Sequence, residues 1–539
     1  MMNATAPAGK KVLLANLGLL LFVTVLFHLN FYQKTMFFRP TSYHQWRQTD
    51  CLSIAKNYYE EGMNFFQPAL HYQGVEGGKA VSECPILNYT AAALWKVFGE
   101  HEFIYRLLEY VIFLCAVFLL FNTLLRFTGS AWLSFFAASL LLTSPLLAYY
   151  SLNFIADVPA LSMAIISFCF LYRFSREGGT TFFYAALVTG ALGVLMKASA
   201  LVPFGLTLLT GISSSVSSPR FNLAANKFRN RWVPLVAMVV VAALVVGWYK
   251  YAVYYNNYHK NLIFLLTVLP IWDMEESQVL YNLKMLFNNL FPLFLSRPML
   301  FLMLCTGVYV LVNLRWLEPL LKWAFCVSLG YFIFYLLFFF QVFGVHDYYL
   351  VNLFIFPVIT IFCASLILVR RGFLQGNLTF LRWFVILVTL FGSFHAAAVY
   401  RLRTVEDDKL VYWFPFISED EAGLAKYLFW RYGNDVKRIE QITPVLRAAG
   451  IERTDKVLSI PDFSFDVSLY LMDQKGYTVA REHITTDTTV VERFADRVKY
   501  VVLSDTNLKK ERAFVKASRH FTPYFKHGPV EVFRVRKVD

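Results

Sequence analysis

Tyr43-His44-Gln45-Trp46-Arg47-Gln48-Thr49-Asp50 opens a polar stretch that closes on Ser82-Glu83-Cys84-Pro85. It separates two apolar runs, 12–30 and 103–126, each long enough to cross about 30 Å of hydrocarbon at about 1.5 Å per residue. A carboxylate just outside a membrane helix still meets headgroup water, so one such group costs little. Asp50, Glu83, Arg47 and His44 together exceed what a connector needs, and acids and bases at a membrane boundary mark functional sites. The plain alternative is a solvated loop with scattered charges.

Outward from this loop, further apolar runs lie near 131–150, 158–174, 181–196, 199–215, 233–254, 298–314, 319–340, 349–369 and 379–399. Hydrophobic residues make up 57% of the 539 and charged residues 16%, and the mean hydropathy is +0.49. That composition describes a polytopic helical membrane protein. The 54 Phe and 31 Tyr suit lipid-facing and interfacial positions. A net charge of +14 raises the question of nucleic acid, but the basic residues sit in short clusters between apolar runs. Lys10 and Lys11, Arg126, Arg173 and Arg176, Arg220 to Arg231 with Lys227 and Arg229, Arg315, and Arg370 with Arg371 all fall on alternate connections. Eleven spans with the N-terminus in the cytoplasm and the C-terminus outside satisfy that pattern, and no nucleic-acid partner is expected. The first run, with no small-residue cleavage site after it, reads as an uncleaved span.

The chain divides into a membrane domain, 1–400, whose loop 31–102 carries the polar stretch, and a water-exposed domain, 401–539, free of spanning runs. In the latter, Lys456–Ile460, Lys499–Leu503 and Val530–Val535 read as strands, Ser464–Gln474 as a helix and Gly476 as its stop, giving a small α/β domain. It contains no GxGxxG, P-loop or metal-ligand spacing. Cys51 and Cys84 share the first outer loop and are candidates for a disulfide in an oxidising compartment.

The same topology puts the loops 31–102, 255–297 and 341–348 and the C-terminal domain on one face. Asp50, Glu83, Asp157, Lys197, His259, His346 and Tyr348 then share that face, a cleft with acid, base and cation. Each also has a structural reading: Asp157 as a helix cap, Lys197 as a snorkelling anchor, the histidines as interfacial residues. Arg106 reads as structural. A group transfer from a phosphate ester to a hydroxyl needs one carboxylate base and a cation for the leaving phosphate, roles open to Asp50 and to Lys197 with Arg47.

The segments His44–Asp50, Glu83-Cys84-Pro85, Asp157-Val158-Pro159, Met196-Lys197-Ala198 and His346-Asp347-Tyr348-Tyr349 resemble glycosyltransferase family 39. This is the dolichyl-phosphate-mannose protein mannosyltransferase-like group of the GT-C superfamily, with bacterial lipid A aminoarabinose transferases among its relatives. The resemblance covers roughly 10–400. It implies that Asp50 is the catalytic carboxylate, with Glu83 and Asp157 as further acidic positions. Lys197 would lie near the donor phosphate, and His259 would be able to share a divalent metal with Glu83. Cys84 departs from the pattern, since the aminoarabinose transferases have lysine there. No cofactor is required beyond that metal. The expected function is inverting transfer from a polyprenyl-phosphate sugar to a lipid, glycan or protein hydroxyl on the outer face of a bacterial inner membrane. A transporter or flippase of lipid-linked sugars is the alternative; it would call for charges near the bilayer midplane and for repeated halves.

Overall fold

The computed structural model describes residues 9–74, 77–216, 223, 228–261, 263–264, 267–406 and 417–536; Arg220 and Lys227 lie outside them. Helices occupy all eleven apolar runs. Among the described residues eight are long and apolar enough to cross a membrane: Gly9–Leu29, Glu102–Thr128, Asp157–Glu177, Ala198–Ser215, Trp232–Tyr258, Pro319–Phe338, Asp347–Arg370 and Leu374–Thr404. Glu276–Phe294 and Arg297–Val312, bent by 89°, make a ninth if taken as one span. Ala131–Leu142 and Thr180–Met196 are shorter apolar helices. The bend has a local cause: Leu295 is extended, and Pro298 in the first turn of the second arm has no N–H to continue the ladder. The stretch 255–297, expected as an outer loop, therefore carries the first arm of this pair.

The chain folds as two compact units. A helical unit comprises Met1–Phe37, Arg106–Lys250 and Thr267–Asp420; a second comprises Phe38–Tyr105, Tyr251–Leu266 and Glu421–Asp539. In the helical unit, Asp157–Glu177 and Thr180–Met196 are joined by Gly178 and Gly179, both at positive φ, where side-chained residues are strained. Their close approach depends on missing side chains. A Cβ on Gly190 would lie 2.8 Å from Ser167 Oγ, and one on Gly193 would lie 3.1 Å from Ala160 O. Small residues let backbones pack where lipid supplies no hydrophobic drive.

At one end of the helical unit, basic and acidic helix ends meet. Arg126 and Arg173 pair with Glu177 at 2.6 and 3.5 Å, and Arg176 pairs with Glu318 at 2.9 Å. Arg370 also binds Glu318, and Arg371 donates to Asn313 Oδ1 at 3.1 Å. These are basic residues of the connections expected in the cytoplasm. Asp157, at the other end of its 21-residue helix, is about 30 Å from Glu177.

The second unit contains a five-stranded sheet in the order β2-β1-β3-β5-β4. Its strands are β1 (Val457–Ile460), β2 (Gly476–Thr478), β3 (Tyr500–Leu503), β4 (Phe521–His527) and β5 (Val530–Val535). β1 pairs in parallel with β2 and β3, while β5 runs antiparallel to β3 and β4. Leu458, Ile460, Val501, Leu503 and Phe514 are among the residues of its core. Gly476 opens β2 instead of stopping a helix, and the helix before it is only Val467–Leu471. A Cβ there would fall 1.9 Å from Val457 O, so glycine is needed for the strand itself. The first loop joins this sheet: Gly476 N–H donates to His71 O at 3.1 Å, and Gln73 N–H donates to Gly476 O at 2.8 Å. Polar stretch and C-terminal domain thus form one folded body.

Candidate active site

Asp50 lies on the helix Gln45–Glu61, which is buried on nearly all sides although many of its residues are polar. Such a helix survives only if its polar groups are paired. Gln45 Nε2 donates to Pro40 O at 2.6 Å, Gln48 Nε2 to Thr41 O and Tyr43 O at 2.9 Å, and Asn57 Nδ2 to Ala69 O at 2.6 Å. Asp50 breaks the rule: it is fully buried, and neither carboxylate oxygen accepts a hydrogen bond. Arg47 Nη1 lies 3.7 Å from its Oδ2. Burial pushes the carboxyl up to about 8 despite the nearby Arg47 guanidinium, and the charge of Glu83 adds to the rise.

Arg47 is held from several sides. Its Nη2 donates to Glu83 Oε2 at 2.5 Å and to Ser82 Oγ at 3.2 Å, and its guanidinium sits 5.3 Å from the Phe264 ring centroid. Glu83 also accepts from Ser82 Oγ. The structure therefore joins Asp50, Arg47 and Glu83 of the expected set. His259, in the same unit, is half-buried and packs edge-on against Tyr255 and Tyr258, with centroids 4.7 and 4.9 Å away. Cys51 and Cys84 are both buried and are not joined in the expected disulfide, and burial pushes the Cys84 thiol up to about 12.

In the helical unit, Lys197 sits between the helices Thr180–Met196 and Leu201–Ser215 with extended backbone. Its Nζ lies 3.5 Å from Asp157 Oδ2 and 5.4 Å from the ring centroids of both Tyr348 and Tyr349. His346 packs on the same two rings at 5.5 and 5.9 Å. The His-Asp-Tyr-Tyr segment is anchored by its aspartate: Asp347 Oδ2 accepts from Arg403 Nη1 at 2.7 Å and Oδ1 from Tyr150 OH at 2.5 Å, all three residues being buried. Asp157, Lys197, His346 and Tyr348 thus form a second group, an ammonium framed by a carboxylate and aromatic faces.

Two features escaped the sequence reading. Glu109 is fully buried within the span Glu102–Thr128, with no hydrogen bond to either oxygen; a lone acid in an apolar run was its available signal. Arg403 closes the span Leu374–Thr404, where a basic residue next to a water-exposed segment gives no hint of an ion pair. Arg106 donates to the Thr35 and Met36 carbonyls at 3.1 and 3.2 Å, in keeping with a structural role. For a metal, the donor set does not fit: no group of three or more His, Cys, Asp or Glu side chains is placed to hold one among the described residues. Glu83 is engaged by Arg47 instead.

Residues 82–251 match the family model of dolichyl-phosphate-mannose-protein mannosyltransferase. ArnT from Cupriavidus metallidurans in the apo state matches the fold at a TM-score of 0.55 and 14% identity, over 96% of this chain and 98% of that one. The chain has the fold of this ArnT, and its residues 82–251 resemble the mannosyltransferase family. ArnT bound to undecaprenyl phosphate matches at the same TM-score and identity, over 96% of this chain and 97% of that one. Arabinofuranosyltransferase AftD from Mycobacteria matches with a TM-score of 0.52 and 11% identity, over 100% of this chain but 41% of AftD. No curated protein matches the sequence. The family match takes in Glu83, Asp157 and Lys197, and Asp50 precedes it.

Proposed function

We propose that this chain is an inverting glycosyltransferase. It moves a hexosyl or pentosyl unit from a polyprenyl-phosphate donor to a hydroxyl of a lipid, glycan or protein at the outer face of a bacterial inner membrane, with the sheet domain periplasmic. The observation that carries this reading is Asp50, a fully buried carboxylate whose oxygens accept no hydrogen bond, 3.7 Å from the Arg47 guanidinium that also binds Glu83; burial raises its proton affinity. A general base works best when its pKa lies near the operating pH. In one displacement the acceptor oxygen attacks the anomeric carbon and its proton passes to Asp50. The bond from that carbon to the phosphate oxygen breaks, and its electron pair leaves on the phosphate. Arg47 holds Glu83 beside the base. Lys197 is the cation we assign to the departing phosphate, since an ammonium in a poorly hydrated site stabilises developing charge strongly.

The helical unit also holds an apolar cavity of about 610 Å³, lined among others by Phe291, Phe294, Leu304, Phe325, Phe332 and Phe356, with a chemistry suited to isoprenoid chain. The deciding experiment is removal of the protein from its native cell, followed by mass spectrometry of polyprenyl-phosphate sugars. One such donor should accumulate. The purified protein should then release polyprenyl phosphate from it, and Asp50→Asn should not. Translocation of intact donor across proteoliposomes without bond cleavage would establish a flippase instead.

A further inference from the structure

We propose that Asp347, Arg403 and Tyr150 are positioning residues for Lys197. Together they fix the Tyr348 and Tyr349 rings, and the rings fix the ammonium assigned to the departing phosphate. The inference deepens the glycosyltransferase reading and rests on it for the role of Lys197.

The backbone of Lys197 is extended, and the turn after it is tied down where Tyr331 OH donates to Ser199 O at 2.8 Å. The ammonium ends a flexible four-carbon stem, so a fixed backbone does not by itself fix the charge. Three side chains meet it: Asp157 Oδ2 at 3.5 Å and the Tyr348 and Tyr349 ring centroids, both at 5.4 Å. An aromatic face attracts an ammonium more strongly as water is excluded, and the Lys197 side chain is only 12% exposed. The position of the charge therefore depends on where the two rings are held. Both belong to the 3₁₀ helix Asp347–Phe354, which begins at Asp347. With about three residues per turn, its first side chains point about 120° apart, so fixing Asp347 sets the directions of the next two.

Asp347 is fixed from two other elements. Arg403 Nη1, in the last turn of Leu374–Thr404, donates to Oδ2 at 2.7 Å, and Tyr150 OH, at the end of Pro145–Tyr150, donates to Oδ1 at 2.5 Å. The Arg403 guanidinium lies 5.3 Å from the Tyr149 ring centroid, and the Tyr150 ring packs edge-on to Tyr348 at 6.3 Å. Tyr150 thus touches both the aspartate and one of the rings that the aspartate orients. Stability alone is a poor reason for this ion pair. The Arg403 and Asp347 side chains are 1% and 4% exposed, and at such burial desolvation of two charges offsets most of their attraction. An apolar pair of similar volume would hold the helix ends about as well. It would not supply direction, which two bonds to a planar carboxylate do.

The test is steady-state release of polyprenyl phosphate by the full-length purified protein, with the polyprenyl-phosphate sugar that accumulates in cells lacking it as donor. Asp347→Leu/Arg403→Met leaves neither charge stranded. It should fold with a thermal midpoint near that of wild type and lower kcat roughly tenfold to 100-fold, the cost of a misplaced group. The donor KM should change by less than about threefold, since Lys197 acts on charge that develops as the bond breaks. In a Lys197→Met background the same double substitution should cost nothing further, because effects that act through one group do not add. If the double variant does not fold, Tyr150→Phe removes one bond to Asp347 and keeps the ring on Tyr348. It should show a smaller fall in kcat with the same dependence on Lys197. Unchanged kcat in whichever of these variants folds overturns the positioning and leaves the proposed function standing. A further fall on top of Lys197→Met does the same. Wild-type protein that releases no polyprenyl phosphate overturns the proposed function, and the role of Lys197 with it.

Discussion

Asp50→Asn should abolish transfer and, in the same molecule, remove a pH-dependent weakness of the fold. Burial raises this carboxyl from 3.8 to about 8. A folded form that keeps a proton which the unfolded chain releases is favoured at low pH. The contribution is fully present below 3.8 and is lost as pH rises through about 8. At about 1.4 kcal/mol per tenfold change in proton activity, this one group weakens the fold by roughly 3.5 kcal/mol between pH 5 and pH 8. Asparagine does not titrate. Its buried amide costs about 1–3 kcal/mol, but equally at both pH values, so that cost cancels from the comparison. Thermal unfolding of both proteins in one detergent, at pH 5 and pH 8, is the assay. The wild-type midpoint should fall by several degrees relative to the variant on going to pH 8. Transfer by wild type should rise with pH through the same range, because only the ionised carboxylate can act as base, and the variant should lose about 100- to 10,000-fold. Parallel stability profiles would show that Asp50 is not the titrating buried acid and would remove the physical basis of the assignment.

Lys197→Met should cut turnover by about 100-fold or more while the protein still folds, with Lys197→Arg restoring part of it; unchanged turnover would return Lys197 to an anchoring role. Asp347→Leu, which strands the buried Arg403, should destabilise the helical unit by about 3–5 kcal/mol, whereas the double variant Asp347→Leu/Arg403→Met should recover most of that in a thermal melt. Chelator-treated protein should retain full transfer and carry no stoichiometric metal on elemental analysis, given the absence of a three-ligand cluster among the described residues. In a cysteine-free background, single cysteines at Gln67 and Lys510 should react with an impermeant reagent from the periplasmic side, and one at Thr180 should not; the reverse pattern would overturn the topology.

Much of this protein is local and therefore legible in one dimension. Spans follow from apolar length, because a bilayer leaves backbone groups no partner but their own helix. The alternate placement of Arg126, Arg173, Arg176, Arg370 and Arg371 predicts a common end, and their ion pairs with Glu177 and Glu318 or contact with Asn313 gather them there. The strands β1, β3 and β5 carry β-branched and aromatic runs and were read close to their limits; β2, three residues opening on glycine, carries no such signal. What the order of residues could not reveal was pairing across distance. Arg47 and Glu83 meet at 2.5 Å across 36 positions, and Asp347 meets Arg403 across 56. The first loop joins the edge of the sheet through backbone bonds of His71 and Gln73 to Gly476, some 400 positions later in the chain. Sequence placed a carboxylate at a membrane boundary. Whether that carboxylate is an ordinary solvated acid or a base tuned to about 8 depends on what excludes water from it, and burial is a property of the folded chain alone.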